Sequence, residues 1–358
     1  MRLIQHLKAF IILLACCSRV EAQDCSIPNL PNQFTVKLAW QSAQDGPSTV
    51  CSPVVANLNP QQDSLPEIIV VEGDFNVQTR IQIYRGDGSN AANPFILTVP
   101  AGMDFYPSLT PTIGDVDADG IPELLVSCAD RRIRVYKNYT ENPANPMTLW
   151  ITTGVVLDDA DQRPLLADFN GDGISEVYTG NDIFTFNLSN PALPSLNKML
   201  NGTDAKGQSA FGLYSEGSCN PTAVDILTPA DCNGDPDCGG LELVAGPVIY
   251  SIDLDPADGD PVQIKIQRDM RTMVPASTGY RDGYTAVADV DLDGILDIVV
   301  TSIRMTNQAG AYIWNKNGFI RWFPYPSNAF SSGSLACIAN VYDDTQHGYA
   351  EDYPEILL

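Results

Sequence analysis

Basic residues and histidine are scarce in this sequence. The 358 residues include 20 lysines and arginines against 44 aspartates and glutamates, for a formal net charge of −24 and a pI near 4.1. This balance argues against a nucleic-acid partner, because phosphates are bound by clustered lysine and arginine. Only two histidines are present, and one lies within the first 22 residues. The other, His347, is in an irregular loop and is interpreted as a solvated residue, not a base.

Several catalytic motifs are also missing. The chain has no CxxC pair and no His/Cys cluster of the kind that holds zinc. It has neither a GxSxG elbow nor a P-loop. We therefore favour a non-catalytic protein. The alternative is a secreted carbohydrate-active enzyme, a polysaccharide lyase or a glycosidase, because acidic pairs are plentiful and glycosidases use two carboxylates.

After residue 22 the sequence has no apolar run long enough to span a bilayer. Residues 1–22, MRLIQHLKAFIILLACCSRVEA, combine a basic start, an apolar stretch and a small-residue end. This pattern predicts a secretory signal cleaved near Ala22, and a protein that is secreted or held at the cell surface. A lipobox with Cys16 as the lipid anchor is the alternative for export. Residues 23–358 form the predicted mature domain.

Seven cysteines follow the predicted signal, and in an exported protein they can pair. Cys232 and Cys238 bracket the short segment NGDPD, which predicts a local bridge. Cys25 with Cys51 is a second candidate pair. The odd number predicts a remaining thiol or a partner outside this chain.

Three acidic nonapeptides dominate the chain: DVDADGIPE, DFNGDGISE and DVDLDGILD. Each places oxygen-bearing side chains at positions 1, 3, 5 and 9 and glycine at position 6, and position 7 would offer a backbone carbonyl. This set suits Ca²⁺, which takes six to eight oxygen ligands, while glycine permits a sharp turn around the ion. The predicted ligands are Asp115, Asp117, Asp119, Ile121 and Glu123; Asp168, Asn170, Asp172, Ile174 and Glu176; and Asp289, Asp291, Asp293, Ile295 and Asp297.

These loops do not fit the EF-hand. An EF-hand closes with a glutamate at position 12 and lies between helices. Here the closing acid is at position 9, and segments rich in β-branched residues lie on both sides, as in YTAVA before the third loop and DIVVTSI after it. We therefore expect each loop to join two strands of a sheet.

An apolar strand, DxDxDGxx[DE] and a second apolar strand, repeated along a chain, resemble the FG-GAP/VCBS repeat family. This family includes the calcium-loop repeats of integrin α-subunit β-propellers and of many bacterial secreted proteins. The resemblance covers nearly all of the chain after residue 50. It implies an all-β fold, a β-propeller of about six or seven four-stranded blades, with calcium in the loops.

Three degenerate copies extend the repeat. They begin near Asn57, Asp225 and Asn340 and keep some of the acids at irregular spacing. The six copies recur every 50–65 residues or so, about the length of a four-stranded blade. Third strands follow most copies, and fourth strands are predicted at PFILTVP, MTLWITTG, VQIKIQRD and FIRWFPYP.

Two features concern the ends of the chain. FTVKLAWQ, residues 34–41, resembles a fourth strand that precedes the first repeat. Residues 355–358 resemble the second strand of a sixth blade, with no third strand after it. We therefore expect the propeller to continue in a longer protein.

The predicted role is cell-surface adhesion or protein or carbohydrate binding, with an extracellular protein or glycan as partner. Propeller function usually lies in the loops around the central channel. The ions are interpreted as structural ties between strands rather than bridges to a ligand. Aromatics in the late repeats can form a docking surface, but packing between blades is favoured because strand aromatics are usually buried. They are Tyr280, Tyr284, Tyr312, Trp314, Phe319, Trp322, Phe323 and Tyr325.

Overall fold

The computed structural model describes residues 37–42, 51–73, 79–99, 103–107, 109–143, 145–157, 162–180, 182–201, 221–254, 262–274, 283–303, 309–324, 336–340 and 353–357. The predicted signal segment, Cys25 and His347 lie outside these ranges. The chain divides into two units, Met1–Ala39 and Trp40–Leu358. Only residues 37–39 of the first unit are described, and they form no strand. Every strand given below belongs to the second unit.

Five antiparallel four-stranded sheets follow one another along the chain, and in each the strands pair in sequence order. Sheet 1 contains β1 (Val54–Ala56), β2 (Glu67–Glu72), β3 (Arg80–Arg85) and β4 (Phe95–Leu97). Sheet 2 contains β5 (Thr112–Gly114), β6 (Glu123–Ser127), β7 (Ile133–Lys137) and β8 (Thr148–Thr152). Sheet 3 contains β9 (Leu165–Ala167), β10 (Glu176–Tyr178), β11 (Asp182–Asn187) and β12 (Ser195–Asn201).

The pattern continues through the second half of the chain. Sheet 4 contains β13 (Thr222–Val224), β14 (Glu242–Ala245), β15 (Val248–Asp253) and β16 (Gln263–Asp269). Sheet 5 contains β17 (Tyr284–Ala288), β18 (Asp297–Ile303), β19 (Ala309–Asn315) and β20 (Gly318–Pro324). β21 (Cys337–Ala339) and β22 (Glu355–Leu357) form a two-stranded sheet 6. The all-β prediction is confirmed.

The second strands of sheets 2, 3 and 4 are buried on both faces. In β6, Leu124 and Val126 pack into a cluster with side chains of sheet 1, whereas Leu125 packs into a cluster with sheet 3. In β14, Leu243 faces sheet 3 and Val244 faces sheet 5. Because side chains alternate along a strand, sheets 2, 3 and 4 each contribute to two cores, one with the sheet before it and one with the sheet after it. Nearly continuous apolar strands result.

Polar contacts also tie successive sheets together. Thr79 Oγ1 donates to the Phe105 carbonyl at 2.7 Å, between sheets 1 and 2. The Thr222 hydroxyl donates to the Thr285 carbonyl at 2.8 Å, and Trp314 Nε1 donates to the Gly246 carbonyl at 2.9 Å, between sheets 4 and 5. These hydrogen bonds satisfy backbone carbonyls near strand ends, where sheet pairing leaves them without partners.

The structure corrects the strand expected at residues 34–41. Of that segment, residues 37–41 are described, and they are not in a strand. Instead Trp40 packs against Tyr84, with ring centroids 5.8 Å apart, and its Nε1 donates to the Gly86 carbonyl at 3.1 Å. The indole thus lies over the turn that follows β3, and this side-chain anchor takes the place of strand pairing.

Helix is limited to single 3-10 turns in the described residues, at Pro229–Cys232, Pro236–Cys238 and Met270–Thr272. Within the same part of the chain, no helix has the length and apolar composition needed to cross a membrane. The predicted bridge is confirmed, since Cys232 and Cys238 form a disulfide. Cys25 with Cys51 stays a prediction.

Candidate metal centres

The three acidic nonapeptides connect the first strand of a sheet to the second. Loop 1 (Asp115–Glu123) follows β5, loop 2 (Asp168–Glu176) follows β9, and loop 3 (Asp289–Asp297) follows β17. The last acid of each loop is also the first residue of the next strand. The loops therefore occupy the same place in sheets 2, 3 and 5, as the flanking apolar segments predicted.

The first aspartate folds each loop around its own carboxylate. Asp115 accepts the backbone N–H groups of Asp119 and Gly120 at 3.1 and 2.8 Å. Asp168 accepts the equivalent pair at 3.1 and 2.9 Å, and Asp289 does so at the same two distances. The fifth residue then accepts the N–H of the seventh at 2.8 Å in all three loops. The sequence pattern thus encodes one turn, built three times.

Glycine at position 6 is required by the backbone. Gly120, Gly173 and Gly294 have φ values of 82, 88 and 84°, in the left-handed region that favours glycine. A Cβ atom added at any of them would have no neighbour within 4 Å, so steric crowding is not the cause. The turn toward the seventh residue demands this conformation.

We expect Gly173→Ala to destabilise the chelator-treated protein by about 1 kcal/mol, because alanine is strained at this φ. Gly154→Ala is the matched control, since Gly154 is equally uncrowded but lies outside the left-handed region. There the substitution should be neutral or slightly stabilising. Urea unfolding of the two variants measures the difference. Equal effects would show that the backbone demand is absent.

The closing acid is fixed by the strand register. It is the first residue of the second strand in all six sheets, and its Cα partner is the residue just before the first ligand position. The six closing acids are Glu67, Glu123, Glu176, Glu242, Asp297 and Glu355. In the five larger sheets this side chain is at most 3% exposed. Register therefore places a buried carboxyl at one repeated point.

One oxygen of the closing acid holds the loop. The Glu123 carboxylate accepts the N–H of Val116 at 3.0 Å, and Glu176 accepts that of Phe169 at 2.9 Å. Glu67, Glu242 and Asp297 make the equivalent contact in their sheets. The degenerate sheets 1 and 4 thus keep this contact without the full ligand set. Sequence reasoning treated the acid only as a ligand and missed this second role, although an acid opens every second strand.

Burial changes the proton affinity of these groups. Desolvation raises the pKa of Glu123, Glu176 and Glu242 to about 7 each, against an ordinary value of 4.5. The pKa values of Glu67 and Asp297 are also raised, again mainly by burial. The backbone N–H contacts oppose this rise but are outweighed. A nearby cation would favour the ionised form and lower these pKa values.

Two acidic clusters can hold a metal ion. Asp115, Asp117 and Glu123 each place a carboxylate oxygen within 4.8 Å of the other two. Asp117 Oδ1 and Glu123 Oε1 are buried and accept no hydrogen bond from the described residues. Such orphaned oxygens are costly unless a cation is their partner. The all-oxygen donor set fits a hard divalent ion.

Loop 3 forms the second cluster, in which Asp289, Asp291 and Asp297 also place carboxylate oxygens within 4.8 Å of one another. Asp297 Oδ1 accepts the side-chain amide of Asn315 at 3.1 Å, which orients the closing carboxylate. The fifth-position acids, Asp119 and Asp293, lie outside the two clusters. Their contact with the seventh N–H occupies one oxygen of each. The predicted carbonyl ligands Ile121, Ile174 and Ile295 stay a prediction.

Loop 2 differs at its third position. Asn170 Oδ1 accepts the N–H of Asp172 at 3.0 Å, and Asn170 Nδ2 donates to Asp172 Oδ2 at 3.2 Å. Within the described residues, the three carboxylates of this loop do not converge as a cluster. An ion here would therefore need the asparagine amide oxygen as a ligand, as the sequence predicted.

The degenerate loops are tied by protein groups. In sheet 1, Asn57 Nδ2 donates to the Asp63 carbonyl at 2.7 Å, and Asp63 pairs with Arg85 at 3.1 Å. In sheet 4, Lys265 pairs with Asp237 at 2.7 Å, and Lys316 pairs with Asp231 at 2.8 Å. The interior of the sheet 6 loop, 341–352, lies outside the described residues.

Residues 115–179 match the family model of the FG-GAP-like repeat. Loops 1 and 2 both lie within the matched residues. The match covers less than half of the chain, and loop 3 lies outside it. The register and hydrogen bonds of loop 3 nevertheless reproduce those of the matched repeat. No curated protein matches the sequence.

Two solved structures are similar to the chain. The biofilm matrix protein Bap1 of V. cholerae matches with a TM-score of 0.51 and 17% identity, over 84% of this chain and 44% of that protein. Sqt1 of Chaetomium thermophilum, bound to the N-terminus of a ribosomal protein, matches with a TM-score of 0.41 and 12% identity, over 76% and 62%. The chain thus spans less than half of Bap1, and at this identity the likeness concerns the fold.

Proposed function

We propose that loops 1, 2 and 3 bind Ca²⁺ and that the ions stabilise an exported, non-catalytic binding module. The observation that carries the proposal is the same loop geometry built three times, with converging carboxylates in loops 1 and 3. Ca²⁺ accepts irregular sets of six to eight oxygens, whereas Mg²⁺ demands a near-ideal octahedron. Carboxylates from positions 1 and 9, a position 3 side-chain oxygen (a carboxylate in loops 1 and 3, the Asn170 amide in loop 2), the position 7 carbonyl and water would supply such a set. The ion would join the end of one strand to the start of the next.

Substitution of the third ligand tests the assignment. We expect Asp117→Ala, Asn170→Ala and Asp291→Ala each to lower the bound calcium by one ion per chain, because each removes a ligand from a separate loop. Asp87→Ala is the control, since Asp87 is an exposed acid in a turn outside the loops. Metal analysis after equilibrium dialysis measures the stoichiometry. Unchanged calcium in all three variants would refute the loop assignment.

We also propose that the successive sheets are blades of a β-propeller of six or seven blades. Sheet order, shared cores between neighbours and the fold likeness to Bap1 support it. Full closure or radial repetition protects the sheet edges that stacked sheets would expose. Small-angle scattering tests the arrangement, because a compact chain of this length has a radius of gyration of about 20 Å. A markedly larger value would indicate an open stack.

The biological role follows from the surface that such a fold presents. We propose that the chain acts at the cell surface or in the extracellular matrix by binding a protein or a glycan. The biofilm-matrix description of Bap1 and the predicted signal support this role. Binding of the full chain to a panel of extracellular polysaccharides, with calcium and with chelator, tests it. Calcium-dependent retention is expected, whereas release of cleaved sugars would favour a carbohydrate-active enzyme.

A further inference from the structure

We propose that loop 1 carries its own competing cation, the ammonium group of Lys137, which a divalent ion must displace. This inference rests on the proposed calcium function of the loops. It makes loop 1 the weakest of the three sites, and the one that responds to changes in calcium concentration while the others stay filled.

The position of the ammonium supports this view. Lys137 Nζ lies 2.6 Å from Asp117 Oδ2, 3.6 Å from Asp119 Oδ2 and 3.8 Å from Glu123 Oε1. Three of the four loop carboxylates thus converge on a protein cation. A calcium ion would need oxygens of the same groups at 2.3–2.6 Å or so. The two positive charges repel each other at such short range, so they cannot share the site.

The lysine reaches the loop from the third strand. Lys137 ends β7, and the preceding residue, Tyr136, pairs with Leu124 of β6. Continued by one residue, the same register sets Lys137 opposite Glu123, the closing acid. In sheet 1 the residue opposite the closing acid is Arg85, which pairs with Asp63. A cation at this point of the sheet is therefore a recurrent way to neutralise the loop.

Among the described residues, no such cation accompanies loops 2 and 3. Across the described part of the chain, no lysine or arginine nitrogen forms an ion pair with a carboxylate of either loop. In sheet 5 the residue opposite the closing acid is Asn315, which is neutral. Within the described residues, loop 3 therefore has four carboxylates without a neighbouring cation, and loop 1 has four with an ammonium among them. The two sets differ only in the closing acid, Glu123 in loop 1 and Asp297 in loop 3, so the difference in compensation should give different affinities.

Trp150 offers the displaced ammonium an alternative contact. Lys137 Nζ lies 4.3 Å from the centroid of the Trp150 ring, within the range of a cation–π interaction. The same indole stacks on Phe186, with centroids 6.4 Å apart. A small rotation of the lysine side chain can release the loop without placing the charge in an apolar environment. Trp150 also supplies a fluorescent reporter beside the moving group.

Calcium titration of the full mature chain tests the inference. Isothermal calorimetry of the wild-type protein should resolve two tight sites and one weaker site. Lys137→Met should tighten the weak site by about tenfold or more and leave the other two unchanged. Lys198→Met is the matched control, because Lys198 pairs with the buried Asp182 at 2.8 Å, away from the loops. It should leave all three affinities unchanged.

Fluorescence provides a second readout of the same site. Tryptophan emission of the wild type should change over the calcium range that fills the weak site. The change should disappear in Trp150→Phe and in Lys137→Met. The sequence contains only four tryptophans, so the assignment is tractable. Emission that changes equally without Lys137 would overturn the inference.

The outcomes separate the two proposals. Three calcium ions with identical affinities in the wild type and in Lys137→Met would overturn the competition and leave the calcium function standing. No calcium in any variant would overturn both. A weak site that is abolished by Asp117→Ala and strengthened by Lys137→Met would establish the lysine as its competitor.

Discussion

Removal of calcium is expected to lower the thermal unfolding midpoint by about 10 °C. A ligand that binds only the folded chain stabilises it by about 2.7 kcal/mol per site at 100 times its dissociation constant. Two tight sites, at loops 2 and 3, would then contribute about 5 kcal/mol. For a chain of this size each kcal/mol moves the midpoint by roughly 2 °C.

The physical origin is repulsion within the loops. Asp289, Asp291 and Asp297 place oxygens within 4.8 Å of one another, and no lysine or arginine in the described residues pairs with them. A bound ion would convert this repulsion into attraction and tie β17 to β18. Calorimetric scans with calcium, with magnesium and with chelator measure the effect.

Two single substitutions in the same protein serve as controls for this result. Asp291→Ala should reduce the calcium-dependent shift, while Asp87→Ala should retain it in full. A midpoint that is the same in calcium and in chelator, together with metal-free protein, would mean that the loops are solvated turns. The proposed binding role would then lose its main support.

In chelator, the protein should become less stable as the pH rises from about 5 to 8. Burial raises the pKa of Glu123, Glu176 and Glu242 to about 7, against 4.5 when unfolded. A carboxyl with a higher pKa in the folded state binds its proton more tightly there. Its contribution is therefore greatest below pH 4.5 and declines until the pH passes 7. Each fully buried group can account for at most about 3 kcal/mol.

Glu67 and Asp297, whose pKa values are also raised by burial, act in the same direction, whereas Asp231 does not. Lys316 holds the pKa of Asp231 down to about 2, so that group stays ionised above pH 5. Calcium should reverse the trend at Glu123 and Glu176, because the ion binds their ionised form and proton release favours binding. Glu242 lies outside the predicted sites and should keep its dependence.

Glu242→Gln provides the decisive variant. In the wild type, Glu242 Oε2 accepts the N–H groups of Ile226 and Leu227 at 2.9 and 3.0 Å. Glutamine keeps an oxygen that can accept both groups but carries no charge. We expect the variant to be more stable than the wild type at pH 8 and unchanged at pH 5. Urea unfolding in chelator measures both values. A wild type with equal stability at the two pH values would contradict the assignment of these buried carboxyls.

Much of the repeat could be predicted from short-range pattern. The β-branched runs before and after each loop gave the first two strands, and the acid spacing gave the loop between them. β12 was not predicted as a strand, because SLNKMLN places Asn197 and Lys198 among its leucines and lacks β-branched residues. It pairs with β11 all the same, since its neighbour offers an edge. For residues 37–41 the error was the opposite: a strand was predicted, but the segment is held by the contacts of the Trp40 side chain and not by strand pairing.

For the aromatics of the late repeats, too, the sequence predicted part of the outcome. Tyr312 and Trp314 are fully buried, which confirms the packing interpretation for these two. Phe319 and Trp322 pack against the same core. Tyr280 and Tyr325 lie outside the described residues, so their role stays a prediction. The alternation of side chains along β19 does not reveal which sheet they pack against, because the contact between sheets 4 and 5 forms only when the chain folds.

The sequence by itself determined the loops, since a DxDxDG turn depends on neighbouring residues: the first carboxylate reaches N–H groups four and five positions ahead, and glycine supplies the left-handed φ. The tertiary structure alone decided which acids are buried, which oxygens remain without donors and which loop receives a lysine. Lys137 is 20 residues from Asp117 in sequence, and their contact depends on the register of β6 with β7. The neutralisation of loop 1 by Lys137 therefore depends on the strand register, which the spacing of residues along the chain does not reveal.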